Sequence, residues 1–153
     1  MIPDIKKLSA QFFVDYPTAN YPEIEQDPMR PYILLVFPLN NQLYLCTPFR
    51  THMNHKNGYS FVSSQRSITN KSGIDYSKTL IITNMGYLDG NQIVDNDEYN
   101  EMATRITSIK QNLVKYVNDY IDHHKNVNQM HPKKYNRLYR YTTLKYFHDL
   151  LGI

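Results

Sequence analysis

The chain has 153 residues, which corresponds to one domain over residues 1–153, and its single cysteine excludes a disulfide framework or a cysteine-rich zinc site. Lys and Arg together number 17 and Asp and Glu 14, so the formal net charge is only +3. The sequence contains neither a basic-then-apolar leader nor an apolar run that could cross a bilayer, so we expect a cytoplasmic protein without a membrane partner.

The chain starts with a predicted strand and a helical turn. Residues 5–8 favour a short strand, and Ser9 is a suitable N-cap for a turn that carries Phe12 and Tyr16. Four prolines then interrupt the chain, which predicts an ordered loop over residues 17–31.

Several short strands are predicted next. The apolar residues 32–37 indicate a fully buried strand, and residues 43–47 indicate its antiparallel partner, with Pro48 ending the pairing. Residues 79–83 and 87–93 predict further strands. Strands this short and this numerous favour a small, strongly bent antiparallel sheet or barrel.

The last third of the chain changes to helical periodicity. Between Tyr99 and Tyr120 apolar side chains recur at steps of three and four, after a cap at residues 95–96. This pattern predicts one amphipathic helix of roughly seven turns that ends near residues 123–125. A last helix is predicted over residues 142–151. The fold class is therefore α+β, with the strands first and the long helix packed on the sheet.

Acidic residues are unevenly distributed along the chain. Residues 28–74 and residues 123–148 contain no Asp or Glu, yet together they hold 11 of the 17 basic residues and all six histidines. Such segregation strengthens the local positive field and favours a polyanionic partner, although two acid-poor segments without a special partner remain the alternative. Without clustered carboxylates or a glycine-rich phosphate loop, no metal or cofactor is predicted.

Residues 48–56 concentrate groups suited to acid–base chemistry, with the sequence Pro-Phe-Arg-Thr-His-Met-Asn-His-Lys. Metal-free cleavage of RNA needs a base for the ribose 2′-hydroxyl, cations for the phosphate oxygens and an acid for the departing 5′-oxygen. Histidine titrates near neutrality, and Arg and Lys bind phosphate. The alternative is a solvated polar loop without a catalytic role.

A second cluster, residues 133–146, interleaves basic and aromatic side chains. In proteins that bind single-stranded nucleic acid, cations contact phosphates while rings stack on unpaired bases. The predicted RNA-binding residues are Arg66, Lys71, Lys133, Lys134, Tyr135, Arg137, Tyr139, Arg140 and Lys145. Alternatively, the rings of Tyr139 and Tyr146 pack on the core.

The order of these segments resembles a known family. An Arg-Pro-led strand, a hairpin that continues into residues 48–56, a Ser-Gly-Ile-Asp-Tyr-Ser-Lys turn at residues 72–78 and a long Tyr-rich helix follow one another. The chain thereby resembles, over nearly its whole length, the endoribonuclease toxins of type III toxin–antitoxin systems. These are relatives of ToxN and AbiQ, and the TenpN-like branch is the most similar.

The resemblance implies a fold and a biology. The fold would be an SH3-like barrel core, as in the MazF and Kid toxins, with added helices. The protein would cut RNA without metal or cofactor and be inhibited by a small, pseudoknotted RNA antitoxin processed from a repeat array. Toxin and RNA would form a hetero-oligomeric assembly, and the system would act in phage defence by abortive infection.

The resemblance carries over to individual residues only in part. ToxN-like members have Pro-Leu-Thr-Ser-Pro-Lys after the hairpin, where this chain has residues 48–53. Thr51 keeps the hydroxyl of the Ser, while Met53 replaces the Lys. Arg30 matches a Lys before the first central strand, and Gln26 stands where the family has a Tyr.

We therefore predict an endoribonuclease whose products are a 2′,3′-cyclic phosphate and a 5′-hydroxyl. The predicted catalytic residues are Arg30, Arg50, Thr51, His52, His55 and Lys56. The two histidines would share the proton transfers, Arg50 and Lys56 would hold the scissile phosphate, Thr51 would hydrogen-bond it, and Arg30 would add charge. The alternatives are a non-catalytic RNA-binding module and a MazF-like toxin neutralised by a protein antitoxin.

Overall fold

The computed structural model of the chain describes residues 3–27 and 29–153, so Pro28, the first residue of the longer acid-free window, lies outside the described part. The strands within it are β1 (Asp4–Leu8), β2 (Ile33–Pro38), β3 (Tyr44–Arg50), β4 (Gly58–Ser60), β5 (Gly73–Asp75), β6 (Leu80–Ile82) and β7 (Leu88–Asn91). The helices are α1 (Ala10–Asp15), α2 (Gln65–Asn70), α3 (Asn96–Thr104), α4 (Ile106–His124), α5 (Pro132–Tyr139) and α6 (His148–Leu151). The predicted α+β class is confirmed.

The described strands form one antiparallel sheet in the order β4-β5-β3-β2-β1-β7, and β6 also pairs with β3. The predicted hairpin is confirmed, because β2 pairs antiparallel with β3 and Val36 lies opposite Cys46. Residues Leu34 to Phe37 of β2 are all buried, which agrees with a strand covered on both faces. The strands predicted near residues 5–8, 79–83 and 87–93 are present as β1, β6 and β7.

One local prediction about the first half of the chain is wrong, and a second is confirmed in position only. Pro48 does not end the pairing: it lies opposite Leu34 within β3, and the strand continues to Arg50. The other edge of β3 changes partner here, from β6 to β5, and a proline is tolerated at such an interruption. Ser9 occupies the N-cap position of α1, but its hydroxyl donates to the carbonyl of Gly86 (2.7 Å) instead of capping the helix.

The predicted seven-turn helix is broken into α3 and α4 at Arg105, where the backbone has φ −102° and ψ 10°. The predicted cap is confirmed, because the Asp95 side chain accepts the backbone N–H groups of Asp97 and Glu98 in the first turn of α3. Glu101 of α3 accepts backbone N–H groups from Val62 (3.0 Å) and Ser63 (2.8 Å). These polar contacts orient α3, whereas α4 is oriented by its apolar face, so periodicity alone did not indicate the break.

The C-terminal part contains one more helix than predicted. α5 starts at Pro132, a favoured first position, and the ring of His131 accepts the N–H of Lys133 as a cap (3.1 Å). The predicted helix over residues 142–151 is a 3-10 turn, Thr143–Tyr146, followed by the short α6. In the first half, α2 falls in a polar span for which no helix was predicted.

The core joins the sheet to α1, α3, α4 and the C-terminal segment in one apolar cluster. Leu34 of β2, Leu45 of β3, Leu80 of β6 and Leu113 of α4 are each 0% exposed. This packing places the last residues of β3 and β5 near α5. The candidate functional groups lie between these elements. No helix in the described residues has both the length and the apolar character needed to cross a bilayer.

Candidate active site

The structure brings the two acid-free windows together. The loop after β3 and the second half of α5 line one cavity of about 620 Å³. The first window contributes Arg50, His52 and His55 to its wall, and the second contributes Arg137 and Arg140. Basic residues that are far apart in the sequence therefore line a single concave surface.

A side-chain contact joins the loop to α5 directly. The amide of Asn57 donates to the backbone carbonyls of Arg137 (3.0 Å) and Leu138 (3.4 Å), residues that lie 80 and 81 positions further along the chain. Tyr116 of α4 also donates to the Leu138 carbonyl (2.7 Å). These bonds use carbonyls at the end of α5 that have no partner within the helix, so they fix the helix end against the loop.

The loop after β3 is held by backbone bonds and by one buried side chain. His52 has φ 56°, a left-handed conformation, and its N–H donates to the carbonyl of Asn70 (2.7 Å). Met53 is only 7% exposed, and a Cβ at Gly73 would lie 2.4 Å from its terminal methyl carbon. Met53 is therefore the anchor of this loop, which is why an apolar residue stands there.

His55 uses both of its ring nitrogens. Its Nδ1 accepts the backbone N–H of Asn57 (3.0 Å), which places the proton on Nε2, and Nε2 lies 3.1 Å from Oδ2 of Asp75. In this arrangement the ring has no nitrogen left for a substrate. The predicted acid–base role of His55 stays a prediction, while its two contacts show that it fixes the conformation of the loop.

Asp75 is the most buried charged group of the cavity, with a side chain 3% exposed. Burial disfavours its charged form, but hydrogen bonds from His55 and Ser77, together with the charge of Arg50, hold the pKa of the carboxyl below its usual value. The backbone N–H and hydroxyl of Ser77 both donate to Oδ1, at 3.0 Å and 2.6 Å. Asp75 is thus a fixed anion that joins β5 to the loop.

Arg50 and Lys78 share a second carboxylate. Arg50 forms an ion pair with Glu25, and Nζ of Lys78 lies 3.6 Å from the other oxygen of the same carboxylate. Lys78 also donates to the backbone carbonyl of Tyr141 (2.9 Å). Burial lowers the pKa of Lys78, and its side chain is 7% exposed.

His52 is the imidazole that is available to a substrate. His52 is exposed, and its ring forms no hydrogen bond to any residue among 3–27 and 29–153. It lines both the first cavity and a second one of about 390 Å³. Of the two histidines predicted from the loop, His52 is therefore the one whose ring nitrogens are not engaged by another described residue.

The second cavity contains two other predicted residues, Arg30 and Thr51. Arg30 is exposed and lies 3.7 Å from a carboxylate oxygen of Asp27, and Thr51 is half-buried. The two cavities have three lining residues in common: Glu25, Arg50 and His52. Apart from Lys56, the predicted catalytic residues thus line two adjoining cavities instead of a single one.

Two predicted RNA-binding residues pair with acids that lie outside the acid-free windows. Arg66 of α2 forms an ion pair with Glu98 of α3, and Lys145 lies 2.6 Å from a carboxylate oxygen of Glu23. Neither lines the main cavity. Their structural pairing lowers the positive charge that they present to a ligand.

The remaining predicted lysines are exposed and line neither of the two cavities: Lys56, Lys71, Lys133 and Lys134. Lys71 donates to the side chain of Asn54 (3.1 Å), and Lys133 and Lys134 lie in the first turn of α5. These residues can contact a ligand only where it extends beyond the cavity.

Both predicted stacking tyrosines are packed inside the protein. Tyr139 is 3% exposed and donates to the backbone carbonyl of Tyr116 (2.7 Å), so the prediction that it stacks on a base is wrong. Tyr135 is half-buried, with its ring stacked on His123 (4.3 Å between centroids) and its hydroxyl 2.9 Å from Nε2 of His124. Intramolecular packing therefore buries the ring of Tyr139 and covers part of the ring of Tyr135.

The sequence did not indicate three charged cavity residues: Glu25, Asp75 and Lys78. The expectation that the site lacks carboxylates is wrong, because acids from outside the windows fold into it. The segment at residues 72–78 contained the available signal, since it holds both Asp75 and Lys78. Among the described residues no three His, Cys, Asp or Glu side chains are grouped as metal ligands.

Comparisons with protein-family models, curated proteins and solved structures find no match to this chain. Its residue patterns and the chemistry of its cavity are therefore the basis for a functional assignment.

Proposed function

We propose that the chain is a metal-independent endoribonuclease whose active site is the cavity between the loop after β3 and α5. One observation carries the proposal: an exposed histidine, His52, lies in the same concave wall as Arg50, Arg137 and Arg140. An acid–base group among guanidinium groups is suited to a phosphodiester, because the cations stabilise the charge that grows on the phosphorane.

In the proposed reaction His52 removes the proton from a ribose 2′-hydroxyl. The 2′-oxygen forms a bond to phosphorus while the bond from phosphorus to the 5′-oxygen breaks, and a protonated donor of the cavity gives that oxygen its proton. The products are a 2′,3′-cyclic phosphate and a 5′-hydroxyl. His55 and Asp75 hold the loop that presents His52, since both are bound within the protein.

The finer proposal is that this ribonuclease is a cytoplasmic toxin of a type III toxin–antitoxin system, similar to ToxN, with an SH3-like core of the MazF kind. Its inhibitor would be a small structured RNA, and its role would be phage defence. The order of motifs along the sequence and the seven-stranded antiparallel sheet support this proposal. The inhibitor RNA would extend from the cavity along the exposed lysines of α5.

The second candidate is a non-catalytic RNA-binding module. Two observations favour it: both ring nitrogens of His55 are engaged, and Arg50 is paired with Glu25. Such a protein would bind RNA through the same cavity and leave it intact.

Cleavage of an end-labelled RNA in the presence of EDTA separates the two candidates. His52→Asn removes the acid–base group but suits the left-handed backbone, since Asn tolerates positive φ. The control is His131→Asn, because His131 caps α5 outside the cavity and Asn is also a good N-cap. We expect His52→Asn to lose about 100-fold or more in rate and His131→Asn to keep the wild-type rate. RNA left intact by wild-type protein would favour the binding module.

Nucleic-acid extraction of the complex purified from its native host tests the inhibitor. A small RNA of uniform length in the extract would support the type III proposal. A second polypeptide without RNA would instead indicate a toxin neutralised by a protein antitoxin.

A further inference from the structure

Glu25 bridges two cations in the wall of the main cavity. One carboxylate oxygen is paired with Arg50, and the other lies 3.6 Å from Nζ of Lys78. Burial works against the charge of Glu25, but the hydrogen bond and charge of Arg50, together with Lys78, hold the pKa of this carboxyl below its usual value. The two cations therefore present a preformed site for one anion with two oxygens.

The two cations are fixed, whereas the carboxylate is accessible. The side chains of Arg50 and Lys78 are 25% and 7% exposed, and that of Glu25 is 52% exposed. Lys78 is further held by the Tyr141 carbonyl, and Arg50 lies 3.8 Å from Asp75. The backbone next to Glu25 is anchored by Ile24, which is 1% exposed, so the Glu25 side chain can leave without moving the segment.

A phosphodiester has the same features through which the Glu25 carboxylate binds the two cations. It has two non-bridging oxygens and one negative charge, and a guanidinium binds either group through parallel N–H bonds. Two cations this buried need an anion, because leaving a buried charge unpaired is costly. Asp75 supplies one negative charge next to Arg50, which leaves Lys78 dependent on Glu25 or on a ligand.

We propose that Arg50 and Lys78 together form the binding site for one phosphodiester group, and that Glu25 occupies this site in the RNA-free protein as an intramolecular competitor. The inference rests on the proposed function, since it names the residues that hold the substrate's phosphate. It adds Lys78 as a phosphate ligand and Glu25 as the group that RNA must displace.

Isothermal titration with inorganic phosphate and with a 2′-O-methyl RNA tetranucleotide, which cannot be cleaved, tests the inference. Glu25→Gln should lower both dissociation constants by about tenfold. This is the factor expected if the carboxylate occupies the site about nine-tenths of the time. Lys78→Gln should weaken both. The control is Glu23→Gln, because Glu23 pairs with Lys145 in the same segment but does not line the cavity.

Unchanged or weaker binding by Glu25→Gln, or equal tightening by Glu23→Gln, would overturn the inference. A second measurement on the wild-type protein does not depend on a folded variant. The pKa of the Glu25 carboxyl can be measured by ¹³C NMR. Saturating phosphate should raise this pKa toward its ordinary value, and an unchanged pKa would contradict displacement of Glu25. Neither probe requires cleavage, so a protein that fails to cut RNA can still pass both tests.

Discussion

At the scale of single residues, the cavity separates histidines that look equivalent in the sequence. His52 and His55 are three positions apart, yet one ring is exposed and the other is held between Asn57 and Asp75. The difference in exposure comes from the left-handed backbone at His52, where the loop turns. The residue that follows, Met53, is buried. A residue pattern indicates which chemistry is present, but the backbone decides which group reaches a substrate.

The buried carboxylate of Asp75 should be a determinant of stability as well as of site geometry. Asp75→Asn removes the charge that faces His55 and Arg50, and we expect a loss of about 3 kcal/mol in the free energy of unfolding at pH 7. Because the folded-state pKa of Asp75 is lowered, this contribution is present above its unfolded pKa of about 3.9 and is lost as the pH falls through the folded value. Urea unfolding of the wild type and of Asp75→Asn at several pH values measures both the loss of stability and its pH dependence.

An Asp75→Asn protein that unfolds at the wild-type urea concentration at pH 7 would contradict this assignment. The difference between the two proteins should also shrink as the pH falls below about 3.9, since the unfolded wild-type chain then binds a proton at Asp75 more readily than the folded protein does.

At the scale of elements, the β4–β5 pair and the buried Met53 together support the loop after β3. A Cβ at Gly73 would lie 2.4 Å from the Met53 methyl carbon and 2.5 Å from the carbonyl oxygen of Tyr59. Gly73→Ala should therefore lower the free energy of unfolding by about 1–3 kcal/mol and reduce RNA binding. Gly90→Ala is the matched control, because nothing lies within 4 Å of a Cβ there. Equal stability of the two variants in urea would show that Met53 does not anchor the loop.

The junction of α4, α5 and α6 is a cluster of histidine and tyrosine rings. Burial, followed by the nearby His148 and His123, lowers the pKa of His124. Nε2 of His148 also lies 2.6 Å from the hydroxyl of Tyr120. The unfolded chain therefore binds a proton at His124 more readily than the folded chain, and stability should fall as the pH drops through about 6.5.

Urea unfolding between pH 8 and pH 5.5 measures this dependence. His124→Gln should flatten the loss of stability, while His131→Asn, which lies outside the ring cluster, should not. An identical pH dependence in wild type and His124→Gln would rule out His124 as its source.

Predictability from sequence also differs between elements. The buried hairpin followed from the apolar run of β2, because a continuous apolar segment between turns has few other solutions. The break at Arg105 did not, since polar contacts of Glu101 with distant N–H groups set the direction of α3. For the same reason Asp75 and Lys78 escaped prediction: antiparallel pairing of β5 with β3 brings them to the loop, and that register is not visible in local spacing.

At the scale of the whole molecule, segregation of charge along the chain is not segregation in space. Acids from outside the windows fold back onto Arg50, Arg66 and Lys145. Arg137 and Arg140 are exposed in the cavity wall and form no ion pair within the described residues. Within the cavity wall, the positive charge that is not paired inside the described residues therefore lies at the end of α5.

RNA binding at a series of salt concentrations tests this distribution. Arg140→Gln should weaken binding of 2′-O-methyl RNA and reduce the slope of log affinity against log salt by about 1, as expected for one lost phosphate contact. Lys115→Gln is the control, since Lys115 is exposed on α4, pairs with Asp119 and lies outside the cavity. Equal slopes for the two variants would mean that RNA does not pass the end of α5.

In the proposed reaction, RNA is cut at the cavity by its own 2′-hydroxyl. The most direct measurement compares, in EDTA, an RNA that the protein cleaves with the same RNA carrying one 2′-deoxyribose at the cleaved position, followed by analysis of the product ends. We expect 2′,3′-cyclic phosphate and 5′-hydroxyl ends from the first RNA and no cleavage at that position in the second. Cleavage of the deoxy-substituted position, or products with 5′-phosphate ends, would contradict it.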